Sequence, residues 1–264
     1  MQPEDSPFQD YVYQLVGSGR IFFAARNSGL YRSDDGGRNW QMAYQSLDIS
    51  EPLPTMTVAI SPDFEHDPRV FAGLSGGIFR SDRGFHFGAW NFGLLDLNIL
   101  CLAISPDFAR DETVFVGAQS GIFRSTNGGR AWREVDLPVG YAAVLSLALS
   151  PDFARDGIML AGTETQGLLL STDAGESWQR LGTDLFSEAV NAIHLSPNFS
   201  SRPEILALHN GTLFHSTDRG ETWSLWRENI LADEDVASIL APQGFDAGAL
   251  VLVGLANGTV LRLD

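Results

Sequence analysis

Three observations predict an all-β fold, a six-bladed β-propeller of four-stranded antiparallel blades. An octapeptide with serine first, an acidic or amide residue third, glycine fifth and tryptophan eighth returns every 44–48 residues. A Ser-Pro-Asp-Phe motif returns in phase with it. Between the two run short apolar or alternating segments of strand length, bounded by Gly, Pro, Asn and Asp. A period of this length marks one supersecondary unit repeated along the chain, and four strands per unit is the make-up of a propeller blade.

The first blade, residues 10–45, is expected to use strands at 11–16 and 20–25 ahead of its octapeptide, Ser33-Asp34-Asp35-Gly36-Gly37-Arg38-Asn39-Trp40. The second, 55–92, carries Ser61-Pro62-Asp63-Phe64 and a degenerate octapeptide, Ser81-Asp82-Arg83-Gly84, whose tryptophan is displaced by two residues to Trp90. The third, 98–136, shows the unit most plainly, with predicted strands at 99–105, 113–118, 121–125 and 132–135. Its octapeptide sets Ser125, Asn127 and Trp132 at the defining positions, after Ser105-Pro106-Asp107-Phe108. The fourth, 142–182, has Ser171, Asp173 and Trp178, and the fifth, 189–228, has Ser216, Asp218 and Trp223. The sixth, 235–264, stops after a third strand at 258–263, and residues 1–9 are expected to supply the missing one. The repeat is continuous, without a linker, so residues 1–264 read as one domain.

Composition narrows the function. The chain holds 17 basic against 33 acidic residues, net −16, which argues against a nucleic-acid ligand because phosphate binding needs clustered positive charge. Every basic residue is arginine, which removes lysine Schiff-base chemistry. No apolar run approaches the length of a membrane span, so no membrane insertion is expected. A single cysteine, Cys101, allows no internal disulfide and fits a reducing compartment. The N-terminus carries no basic and apolar leader, so a cytoplasmic location is expected, or export if a leader has been removed.

The octapeptide, Ser-x-Asp-x-Gly-x-x-Trp, resembles the Asp-box, or BNR repeat, of the sialidase-like propellers in the WD40/YVTN/BNR-like superfamily. The resemblance covers nearly the whole chain. It implies the fold and a structural hairpin between third and fourth strands; it leaves function open, since the box occurs in sialidases, other glycosidases, lectins, sorting receptors and photosystem assembly factors. Physically, Ser, Thr and Asp side chains bond turn amides, glycine supplies positive φ, and tryptophan anchors the outer strand. Ser33, Asp35, Trp40, Ser125, Asn127, Trp132, Ser171, Asp173, Trp178, Ser216, Asp218 and Trp223 are therefore assigned to structure. A catalytic site does not need one copy per blade.

Chemistry is sought next among unrepeated residues. The sialidase Arg-Ile-Pro signature is absent; the nearest string is Arg20-Ile21-Phe22. The five histidines lack zinc-ligand spacing and Asp34-Asp35-Gly36-Gly37 lacks a calcium-loop pattern, so no metal and no cofactor is expected. The recurring Arg32, Arg80, Arg124 and Arg262 are expected to pair with carboxylates at blade edges, and Cys101 and His194 to pack in first strands.

Alternating strand direction places the Ser-Pro-Asp-Phe loops and the boxes at one end of each blade and the variable loops at the other. The fourth-to-first connections, 45–55, 91–98, 136–142, 182–188 and 228–235, mix acids with apolar residues. Asp96, Asp136, Tyr141, Asp184, Phe186, Glu188, Asp233 and Asp235 are the expected contacts for a protein partner with a basic surface. The function expected is a non-enzymatic scaffold or assembly factor. The alternative, from another class, is a carbohydrate-binding or carbohydrate-cleaving Asp-box propeller.

Overall fold

The structure is a computed structural model, described over residues 10–46, 53–245 and 248–263. Six antiparallel sheets follow one another along the chain, each a meander in sequence order, and they are the blades of a β-propeller. The first runs through Val12–Ser18, Ile21–Arg26, Gly29–Ser33 and Gln41–Met42. The second has Thr55–Ile60, Arg69–Leu74, Gly77–Asp82 and His86–Ala89, and the third Ile99–Ile104, Val114–Ala118, Ile122–Ser125 and Arg133–Val135. The fourth comprises Val144–Leu149, Met159–Thr163, Leu168–Ser171 and Gln179–Leu181. Val190–Leu195, Ile205–His209, Thr212–Ser216 and Ser224–Leu225 form the fifth. Among the described residues the sixth has three strands, Val236–Leu240, Val251–Leu255 and Val260–Leu263. The expected completion of that sheet by residues 1–9 lies outside the described residues.

Two compact units can be distinguished. The first holds residues 1–104, 108–116 and 124–133; the second holds 105–107, 117–123 and 134–264. Inside the first unit the core gathers Phe23, Ala25 and Leu30 of one sheet with Val58, Val70, Ala72, Leu74 and Phe87 of the next. Inside the second, Leu160, Leu168 and Leu170 meet Val190, Ile205 and Ala207, and a further cluster joins Leu206, Leu208 and Leu213 to Val236, Val251 and Val253. Each cluster therefore lies between consecutive sheets. The second strands are buried on both faces, from Ala72 through Met159 to Ala207, and read as continuous apolar runs. Fourth strands are two to four residues long and mostly exposed.

Close approach between sheets is set at particular residues. A Cβ on Gly162 would stand 2.3 Å from Val190 O and from Ser146 Oγ. The same Ser146 hydroxyl donates to Val190 O at 2.9 Å, so the glycine makes room for a hydrogen bond between the fourth and fifth sheets.

The phenylalanine of each first-to-second connection, Phe64, Phe108, Phe153, Phe199 and the irregular Phe245, is buried. Two of these connections differ from the loops expected: Phe108–Asp111 and Phe153–Asp156 are single helical turns. Ser150 accepts the Asp152 N–H at 3.1 Å and donates to Asp156 at 2.7 Å, bracketing the turn. Gly157, at φ 63°, ends it.

Candidate functional site

At one end of the sheets the boxes form a hydrogen-bonded frame. Ser33, Ser125, Ser171 and Ser216 are buried, and each hydroxyl donates to the third box residue while accepting the amide of the fifth. In the fourth sheet these distances are 2.8 Å to Asp173 and 2.8 Å from Gly175 N–H. Asp173 accepts in addition from the Ser177 amide at 2.8 Å and the Ser177 hydroxyl at 2.5 Å. Asp218 does the same with Thr222, and Asp35 with the Asn39 amide and side chain. The third box pairs its neutral Asn127 with Ala131, which offers only its backbone N–H, at 3.0 Å.

These donors act on acidity although the carboxylates are at most half-buried. The Ser177 hydroxyl and amide hold Asp173 down to about 2, and the Thr222 hydroxyl and amide do the same for Asp218, also to about 2. The Asn39 amide, then its side chain, pushes Asp35 lower still. Three Trp indoles close their own turns, Trp40 on Gly37 O, Trp178 on Gly175 O and Trp223 on Gly220 O. Trp132 instead donates to Trp90 O at 2.8 Å in the preceding blade.

Each box also leans on the first-to-second connection of its own blade. The amides of Gly36, Gly128, Ala174 and Arg219 reach Arg20 O, Glu112 O, Gly157 O and Pro203 O at 2.8–3.1 Å, and Arg83 of the degenerate box reaches Pro68 O at 2.5 Å. The two families of motif share one end of each sheet, as the strand order requires. Both oxygens of Asp35, Asp173 and Asp218 are engaged by the turn itself, an arrangement that holds shape.

Two of the recurring arginines have carboxylate neighbours, and three have aromatic ones. Arg32 pairs with Asp34 at 2.6 Å, and Arg80 stands 3.7 Å from Asp82 and donates to Gly128 O at 2.8 Å. Rings cover their guanidinium faces: Phe85 over Arg32 at 3.6 Å, Trp90 over Arg80 at 4.3 Å and Phe115 by Arg124 at 5.6 Å. His194 is packed, and burial lowers its pKa.

At the opposite end, the second-to-third hairpins meet the fourth-to-first connections. Gly77 N–H bonds Leu97 O at 2.9 Å, Val236 N–H bonds Gly211 O at 2.8 Å, and Asn210 donates to Glu188 at 2.5 Å. In the first unit Phe92 is 80% exposed and Leu95 78% exposed, and both precede Asp96, which caps the Asn98 amide. In the second unit Tyr141 is 82% exposed at the edge of a cavity of about 210 Å³ lined also by Glu134, Asp136 and Leu137. Asp184, Glu188, Asp233 and Asp235 are exposed in the same unit. The apolar and acidic residues at 48–51 lie outside the described residues.

Phe186 departs from expectation. Read as a rim contact, it is 1% exposed, with its ring edge-on to Trp223 at 4.8 Å, His209 at 5.4 Å and Phe214 at 5.8 Å. Gly182, at φ 51°, and two backbone bonds from Leu185 and Phe186 back to Gly182 O turn the loop inward. Leu94 and Leu231 are likewise buried beneath their own loops. Phe92, by contrast, was not singled out from the sequence. Its carbonyl accepts the Trp132 amide at 2.9 Å, and Gly93, at φ 83°, packs its backbone on Trp132 O, so the chain is tied down while the ring faces solvent. Its only sequence signal is an aromatic outside the repeat, beside a glycine.

Among the described residues no cluster of His, Cys, Asp and Glu is arranged to hold a metal, and no helix is long and apolar enough to cross a membrane.

Residues 85–230, more than half of the chain, match the family described as photosynthesis system II assembly factor YCF48. Residues 31–42 match the BNR/Asp-box repeat, which is the first box. No curated protein matches the chain. Solved structures share the fold at low identity. A YCF48 bound to a D1 peptide superposes with a TM-score of 0.68 at 13% identity, over 98% of this chain and 82% of that one. An ancestral GH74 enzyme superposes with a TM-score of 0.74 at 18% identity, over 94% of this chain. The GH74 xyloglucanase from Xanthomonas campestris gives 0.61 at 17% identity, over 89% of this chain. This chain spans 37% and 41% of those two enzymes.

Proposed function

The chain belongs to the photosystem II assembly factor YCF48 family, and from that membership we propose that it is a non-catalytic propeller that binds a protein segment through its variable loops. One observation carries the reading: Phe92 and Leu95 in the first unit and Tyr141 in the second are each about 80% exposed, while Leu94, Phe186 and Leu231 of the same class of loop are buried, and acids adjoin the exposed residues in sequence. Solvent-exposed rings held by tied-down backbone are preorganised anchors, since little freedom remains to be lost on binding. The relative solved with a D1 peptide supports a peptide-like occupant at the level of the family. The acids, Asp96 in the first unit and Asp136, Asp184, Glu188, Asp233 and Asp235 in the second, favour a partner with basic side chains.

The test is photo-crosslinking in the native host. A benzophenone amino acid at Leu95 or Tyr141 is expected to trap a discrete protein partner, whereas the same probe at exposed Arg155, on the box end, is not. Equal trapping at all three positions, or none, refutes the proposal. The second reading, glycoside binding or cleavage, is favoured by the GH74 neighbours through fold alone; release of sugar from xyloglucan by the purified chain is the result that would adopt it.

A further inference from the structure

The degenerate box of the second sheet is a departure that the partner-binding reading leaves unused. It lies at the box end, beside a cavity of about 480 Å³ within the first unit. That volume is in the range of small-molecule sites. The first sheet contributes Arg20 and Ile21 from its opening turn and Arg32 from its third strand; the second contributes His66, Arg83 and Phe85. Arg83, at φ 66°, stands where Arg219, at φ 64°, stands in the fifth box, and the departure is the exposed Phe85 two residues on. Gly84 between Arg83 and Phe85 lets the turn seat against Phe23, where a Cβ would stand 2.4 Å from the ring.

The cavity wall holds an unsatisfied cation. Arg32 is 6% exposed, its Nη2 pairs with Asp34, and its buried Nε and Nη1 have no hydrogen-bond partner. A buried guanidinium with two idle donors is short of compensation, and an anion held nearby offsets part of that cost. Phe85 lies 3.6 Å over its face and forms an apolar flank, continued by Ile21, Phe64 and Pro68. Three arginines and His66 line the cavity beside one lining carboxylate, Glu65; Arg32 is paired with Asp34 and His66 with Asp63, which leaves Arg20 and Arg83 as the exposed cations at its mouth in a chain whose net charge is −16. Asp63, bonded to His66 Nδ1 at 2.8 Å, raises the histidine's pKa and favours its cationic form.

We propose that this cavity is a binding site for a small aromatic carboxylate, its anionic head between the exposed Arg20 and Arg83 at the mouth with the buried Arg32 charge behind them, its ring against Phe85 and Pro68. Guanidinium donors suit a carboxylate, and an aromatic body suits the exposed Phe85 ring. The site is separate from the variable loops, so its failure leaves the partner-binding proposal standing, and the reverse.

The probe is benzoate, with benzamide as its uncharged isostere, titrated by calorimetry and saturation-transfer NMR into the full chain. Benzoate is expected to saturate below about 10 mM, and benzamide to bind at least ~10-fold more weakly, since it lacks the charge-assisted bonds. Arg32→Met, which removes the charge behind the site, is expected to weaken benzoate binding several-fold. Because Arg32 is buried, the exposed variants Arg20→Gln, Arg83→Gln and Phe85→Ala carry the test if that variant does not fold. Each is expected to weaken benzoate several-fold with the melting temperature unchanged. Equal binding of the two probes, no saturation of benzoate, or benzoate binding untouched by the three exposed variants overturns the proposal.

Discussion

Asp173 is fully exposed and yet holds its proton only below about 2, because the Ser177 hydroxyl and amide and the Ser171 hydroxyl all point at it. A carboxylate whose folded pKa is depressed contributes stability that is complete above the unfolded value of 3.8 and is lost as pH falls through about 2. Asp173→Asn should therefore be less stable than the wild type at neutral pH, with the gap closing as acid is added; urea unfolding between pH 6 and pH 2 measures it. A gap independent of pH would show that shape alone matters in the box. The third box makes the same turn with Asn127 and Ala131, so its contribution should not titrate. Phe186 lies at the other extreme. Its burial among Trp223, His209 and Phe214 predicts that Phe186→Ala costs roughly 3–5 kcal/mol in equilibrium unfolding. A cost under ~1 kcal/mol would return it to the surface role read from the sequence.

At the scale of elements, the strands were legible to within one or two residues, since period-2 patterning and turn residues bound them locally. In the third blade the expected 99–105 and 113–118 became Ile99–Ile104 and Val114–Ala118. The helical turns at Phe108–Asp111 and Phe153–Asp156 were not, because Ser-Pro-Asp-Phe reads as a turn, and only the following Ala-Arg-Asp, with a left-handed residue to end it, completes a helical one. Spacing between sheets was equally hidden. Gly162 looks like a weak point in a strand until Val190 O is placed beside it. Gly162→Ala is expected to destabilise by about 1–3 kcal/mol through overpacking, read from thermal or urea unfolding. A neutral result would mean that the fifth sheet's first strand can retreat at no cost.

For the whole molecule, charge is the governing quantity. With net −16, association with a basic segment should weaken steadily as salt rises, over a screening length of about 8 Å at physiological ionic strength. Converting Asp184, Glu188, Asp233 and Asp235 to amides should flatten that dependence, measured as partner affinity against ionic strength. Unchanged slope would assign the acids to solubility alone. Benzoate in the box-end cavity should be indifferent to these four changes, since the lining there is cationic.

The repeat determined the architecture from sequence alone: blade number, strand order, the end on which the boxes lie and the structural part played by their serines and aspartates. Those properties depend on neighbours within about eight residues or on recurrence, both of which a linear chain displays. Tertiary structure alone decided which apolar loop residues are exposed and which are core. Phe186 and Phe92 sit in similar mixed loops, but Gly182 folds one inward and Trp132 O seats the other's backbone with its ring outward. It also brought Arg32, Arg20, Arg83 and Phe85 to one cavity from two sheets, although they are spread over 66 positions of the chain. Burial and orientation arise from contacts distant in sequence, and no local pattern encodes them.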